Sequence, residues 1–162
     1  MKKVIFALAI CATIVSCQKK EDTDPIDVSK TAYVMNNGWQ LKKFTWRPNI
    51  ADSSSFPQVQ TIPGCQSDDF LRFYSTNRVS LNTGISKCNI GDPDSTVYGY
   101  TFTNNDSHLE IYTDPDASLH DVYLGGDMQY PSIDTFIITY HLPNQQDSSL
   151  VDEYVKTYVR FH

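Results

Sequence analysis

The 162-residue sequence predicts an all-β fold: eight antiparallel strands in an up-and-down meander, closed as a barrel, with a short helix before the first strand. Three observations predict it. Beyond Gly38, Tyr, Phe, Val, Thr and Ile gather in runs of about 5–12 residues divided by Pro, Gly, Asn and Asp, the composition of short strands and turns. Several runs alternate, as in Tyr98, Tyr100 and Phe102; Leu109 and Ile111; Phe136, Ile138 and Tyr140; and Val155, Val159 and Phe161. A period of two marks a sheet with one buried face. Most connections are short, so neighbours in sequence should pair, and eight such strands are enough to close and remove both exposed edges.

The first sixteen residues stand apart from this fold. Lys2 and Lys3 precede an apolar run, Val4 to Val15, broken only by Cys11 and Thr13. The run is too short to span a bilayer, which takes roughly 20 apolar residues in a helix. It has the length of a secretory signal, with small Ser16 at the cleavage position. Ile14-Val15-Ser16-Cys17 resembles a lipobox. The resemblance implies that the Cys17 thiol takes a diacylglyceryl group and that Cys17 becomes the first residue of a membrane-anchored bacterial lipoprotein. Each buried methylene contributes about 0.8 kcal/mol, so several acyl chains make the anchor durable. Gln18, rather than Asp, follows the cysteine; under the sorting rule of enteric bacteria this implies the outer membrane, without choosing its face.

Residues 17–30 read as the lipidated cysteine and a flexible tether. Seven of the thirteen residues from Gln18 to Lys30 are charged and Pro25 interrupts them, which leaves almost nothing to bury. The domain is expected over 31–162. Ser29 is placed to cap one or two helical turns running to Met35, which Asn37-Gly38 would stop.

Strands are expected at 39–46, 69–75, 78–83, 96–103, 108–113, 118–124, 133–141 and 150–161. One hairpin is defined in register. Phe73 opposite Val79 and Leu71 opposite Leu81 put apolar partners on one face and leave Ser75-Thr76-Asn77 as a three-residue turn, with Asn77 left-handed. Continued outward, the same register sets Cys65 opposite Lys87, beside Cys88. With Cys11 lost and Cys17 lipidated, Cys65 and Cys88 are the two thiols that reach an oxidising compartment, and a disulfide is expected. The connection from Arg47 to Asp68 is long and rich in Ser, Gln and Pro. Pinned by Cys65, it is expected to fold over one mouth of the barrel. Gly125-Gly126-Asp127 reads as a turn.

The stretch from about residue 38 to the end resembles the lipocalin-like domains of small bacterial lipoproteins. The resemblance rests on Gly38-Trp39-Gln40-Leu41 opening the first strand, and on Cys65-Gln66-Ser67-Asp68-Asp69-Phe70 with Phe73 leading the second. Cys88 follows the third strand, and Tyr158-Val159-Arg160 closes an aromatic meander. True lipocalins keep one residue between the Gly and the Trp, whereas Gly38 and Trp39 are adjacent here. The resemblance implies that Arg160 covers Trp39 as a plug at one barrel end. The strand alternation that turns Val159 and Phe161 inward would instead turn Arg160 outward.

Composition narrows the function. Without Lys2 and Lys3 the formal charge goes from −6 to −8, a surface that repels phosphate backbones and excludes nucleic acid as a partner. No serine sits in a nucleophile elbow, no Gly-rich loop opens a helix and there is no H-E-x-x-H, so no catalytic residue and no cofactor is expected. His108 and Glu110 share a strand face but lack a third ligand. Asp92-Pro93-Asp94 and Asp114-Pro115-Asp116 are better turns than calcium loops, so no metal is expected. Asp68 and Asp69 read as a turn pair pointing to opposite faces. Ten Tyr and eight Phe leave two readings. Either Tyr98, Tyr100, Phe102, Phe136, Ile138 and Tyr140 line a pocket for a small apolar or amphipathic ligand, or they fill a solid barrel that serves as an interaction module for an envelope protein. The chain is expected to be a monomer.

Overall fold

The computed structural model describes residues 30–35, 37–116 and 121–161. The expected signal, Cys17 and nearly all of the expected tether therefore lie outside the described residues, as does Ser29. The described elements are α1 (Lys30–Val34), β1 (Gly38–Arg47), β2 (Gln58–Gln60), a 3-10 turn (Gly64–Gln66), β3 (Phe70–Tyr74) and β4 (Arg78–Asn82). They continue with β5 (Ser95–Thr103), β6 (His108–Tyr112), β7 (Val122–Ser132), β8 (Thr135–Pro143) and β9 (Val151–Phe161).

Eight strands form a closed antiparallel barrel. From β3 each pairs with the next in sequence; β9 closes onto β1, and β1 pairs with β3. The ninth strand, β2, was not expected. It lies along the outer part of β1, with Gln58 opposite Trp46 and Gln60 opposite Phe44. The β3–β4 hairpin has the predicted register, Leu71 opposite Leu81 and Phe73 opposite Val79, and Asn77 is left-handed at φ 56°. Asn and Asp also take the left-handed positions at 104–106 in the β5–β6 turn, where their short polar side chains reduce the cost of positive φ.

The two barrel ends differ. The tight turns β3–β4, β5–β6 and β7–β8 lie at one end, together with α1. Val34 of α1 is fully buried and accepts the Trp39 indole N–H on its carbonyl at 2.8 Å. Asn37 ends the helix by donating its side-chain amide to the Tyr33 and Met35 carbonyls. The longer connections lie at the other end, which is the mouth. There Cys65 and Cys88 form a disulfide, Cα to Cα 4.9 Å.

Three readings are corrected. Gly125-Gly126-Asp127 is not a turn: β7 runs through it to Ser132, with Gly125 opposite Glu110 and Gly126 opposite Leu109. Gly126 is needed because β8 passes so close that a Cβ would lie 2.5 Å from the Thr139 carbonyl oxygen. The expected strand at 118–124 overlaps β7 only from Val122, and 117–120 lie outside the described residues. In β9 the inward set is the other parity. Phe136, fully buried, faces Tyr158 across the ladder, which places Tyr154, Lys156, Tyr158 and Arg160 inside. Val155, Val159 and Phe161 face out; Phe161 stacks on Phe70 at 5.3 Å. Both faces of β9 carry bulky apolar groups, so alternation alone did not choose between them.

Candidate functional site

The lower barrel is filled. Phe73 packs edge-on against Tyr100 at 5.1 Å, Trp39 edge-on against Phe136 at 4.8 Å, and Phe136 stacks on Tyr158 at 4.9 Å. Leu109, Ile111, Ile138 and Val79 close the gaps and are essentially fully buried. The Tyr100 hydroxyl donates to the Tyr74 carbonyl at 2.7 Å. Burial, with a smaller effect from Tyr112, pushes its pKa up to about 12. Such interlocked rings contribute roughly 0.5–1.5 kcal/mol per pair beyond the area they bury.

Above this layer lies a cavity of about 130 Å³. Its base is Trp39, Leu71, Leu81, Ile111, Leu124 and Tyr158. It forms where the wall parts: the β1–β3 ladder holds only three residue pairs, Gly38 to Gln40, after which β1 pairs with β2 instead. Leu41 lines one side of the gap, and Gln66, Asp69 and Phe70 the other. Tyr123 and Lys156 complete the wall. Tyr123 is there because it is the extra residue of a bulge, between Leu124 opposite Ile111 and Val122 opposite Tyr112. A bulge re-aims a side chain, and Tyr123 stacks on Tyr98 at 4.8 Å.

The six residues read as candidate pocket lining are distributed differently. Tyr100, Phe136 and Ile138 are buried in the filled layer, and Phe102 packs against Tyr100 and Phe73. Tyr98 and Tyr140 sit higher, half-buried, and none of the six lines the cavity. Of the 47–68 connection, only Gln66 reaches it among the described residues. The expectation that this connection folds over the mouth gives way to a strand laid along β1.

Three charged side chains share the inward column of β9. Arg160 sits over the Trp39 ring at 5.7 Å, and its guanidinium also meets Asp134 at 3.2 Å and the Ile133 carbonyl at 2.9 Å. Asp152, only 2 % exposed, lies at the mouth. Burial acts to raise its pKa, but donors from Asn144, the Asn49 backbone and the Trp46 indole outweigh it and hold the carboxyl below its ordinary range. Lys156 lies between them, with its ammonium 5.6 Å from the Phe44 ring and 5.5 Å from the Tyr140 ring. Burial lowers its pKa.

Among the described residues, the acidic and histidine side chains singled out in the sequence have structural partners. Asp68 accepts from the backbone of Ile85 and Ser86, and Asp69 from that of Gly84 at 3.1 Å. Both carboxylates therefore reach the same loop instead of opposite faces, because they precede the extended part of β3. Asp94 pairs with Lys87 and Asp116 with Arg78. His108 lies 2.8 Å from Asp127 and 3.9 Å from Glu110 on the outer face. Among the described residues no group of three or more potential metal ligands assembles. No sequence signal marked these residues as a cavity wall: Gln66 and Asp69 stand in the stretch that carries the family resemblance but with no ligand role attached, Lys156 stands in no motif, and the three converge only through the closure of the barrel. Comparison with family models, curated proteins and solved structures finds no match.

Proposed function

We propose that this chain is a non-enzymatic, lipocalin-like lipoprotein, anchored through Cys17, that holds one small apolar or amphipathic molecule in the mouth of its barrel. The observation that carries the reading is the cavity at the long-loop end, with an apolar base and a partly polar wall, above a filled lower barrel. At about 130 Å³ it is near the roughly 150 Å³ at which an engineered apolar cavity takes up benzene. It is well below the roughly 300 Å³ at which ordinary drug-sized sites begin. The ligand is accordingly about one ring in size. α1, where the described residues begin, packs at the end opposite the mouth.

The filled lower layer favours a second reading, a solid barrel that contacts another envelope protein. Native mass spectrometry of the full chain separates the two. A single co-purifying small molecule supports the ligand reading. A bare chain that takes up no ring-sized probe at millimolar concentration supports the solid barrel and refutes the first.

A further inference from the structure

We propose that the molecule held in the mouth is anionic at its polar end and that Lys156 is the side chain that binds it, an inference that rests on the mouth being a ligand site. Lys156 lies opposite Phe44 and Ile138 in its two ladders, on the face shared with buried Tyr158. It therefore points into the barrel, and it lines the cavity. The other charged groups of its column have partners: Arg160 has Asp134, and Asp152 has three donor groups. Lys156 has no ion pair and no hydrogen bond among the described residues; it meets only the faces of Phe44 and Tyr140.

A cation drawn out of water without an anion is costly, and ring faces replace only part of its hydration. A carboxylate at the top of the cavity would supply the missing partner through a charge-assisted hydrogen bond. Asp69, the carboxyl among the described residues of the wall, is not paired with Lys156 and is already engaged by the Gly84 amide. It repels an anion from its own side of the cavity and so places the anionic end at Lys156. The remaining ionisable groups on the wall, Tyr123 and Tyr158, are neutral phenols. The volume admits one ring or a short branched chain beneath the anionic group and excludes a long acyl chain.

The test uses benzoate and benzyl alcohol, which share a ring and differ in charge, titrated into the full chain and followed by amide chemical shifts. Wild type is expected to bind benzoate more tightly than benzyl alcohol. Lys156→Met should weaken benzoate about tenfold, the loss of roughly one charge-assisted bond, and leave benzyl alcohol unchanged. Lys156→Arg should retain benzoate. Equal affinity for the two probes in wild type, or benzoate binding unaffected by Lys156→Met, overturns the assignment of Lys156 while leaving the ligand site standing. Binding of neither probe overturns the site itself. The wild-type comparison decides the question even where a variant does not fold.

Discussion

Replacing Gly126 with Ala tests how tightly the barrel closes around β7. An added Cβ would lie 2.5 Å from the Thr139 carbonyl oxygen, 3.0 Å from its carbon and 2.8 Å from Ile138 Cγ2. Relief to an ordinary contact requires β8 to retreat by roughly 1 Å, which close-packed interiors resist. β8 is held on its other side by nine residue pairs with β9, so the strain has little outlet. Overpacking of this kind costs about 1–3 kcal/mol, against a gain of about 0.5–1 kcal/mol from replacing a flexible glycine. The net loss, up to about 2.5 kcal/mol, should lower Tm by up to roughly 10 °C for a domain of this size. Gly125→Ala is the internal control. Its Cβ faces outward, is tight only against the side-chain atom Val122 Cγ1 at 3.2 Å, and meets Glu110 Cγ at 3.8 Å and the Leu109 carbonyl oxygen at 3.9 Å in ordinary contact, so stability should change by less than about 0.5 kcal/mol. Thermal and urea denaturation followed by circular dichroism reads both. Equal effects from the two variants would refute the close β7–β8 approach and return the glycine pair to a turn.

Cys65→Ser should lower Tm under oxidising conditions, since a bridge between residues 23 apart in sequence constrains the unfolded chain by about 3 kcal/mol on the entropy model. With reductant present wild type and variant should coincide; an equal deficit would assign the effect to packing. Asp152→Asn should be less stable at neutral pH. The folded carboxyl lies below its ordinary 3.8, so its contribution is complete above that value and is lost as pH falls through the lower folded value. Urea midpoints of the two proteins should therefore converge in strong acid, and a gap independent of pH would refute the linkage. Cys17→Ser should move the protein from the membrane fraction to the soluble one; an unchanged distribution would refute the anchor.

The barrel was legible because its signals are local and repeated. Alternation in β5, β6 and β8, and the turn chemistry of the β3–β4 hairpin, each fix a strand without reference to the rest. The disulfide followed from that hairpin's register. What was not legible depends on contacts distant in sequence. Gly125 and Gly126 look like a turn unless one knows that β8 presses against the second of them. Tyr158 faces inward because Phe136 does, a fact held by the ladder and not by β9 itself. β2 carries Gln58, Val59 and Gln60, a segment too short and polar to announce a strand; it forms because β1 has an unpaired edge once β3 diverges from it. The same divergence makes the cavity, which is why its wall is formed by residues other than the six named from strand alternation.

The inward column of β9 changes character along its length, and this bears on what Lys156 does. Arg160 closes one end over Trp39, Tyr158 belongs to the filled layer, and Asp152 is fastened at the mouth by neighbours. A barrel selected for stability alone would carry Leu or Met at 156, because burial lowers the lysine pKa. The sign follows from linkage. A cation whose folded pKa lies below its ordinary 10.5 destabilises the fold wherever both states are charged, and stability is regained as pH rises from the folded value towards 10.5. Lys156→Met should therefore melt at or above wild type at neutral pH, and the difference should narrow in alkali. Thermal melts at pH 7 and about pH 10 measure it. If the variant is instead clearly less stable at pH 7, the cation serves the fold through Phe44 and Tyr140, and the reason for leaving it unpaired beside a cavity disappears.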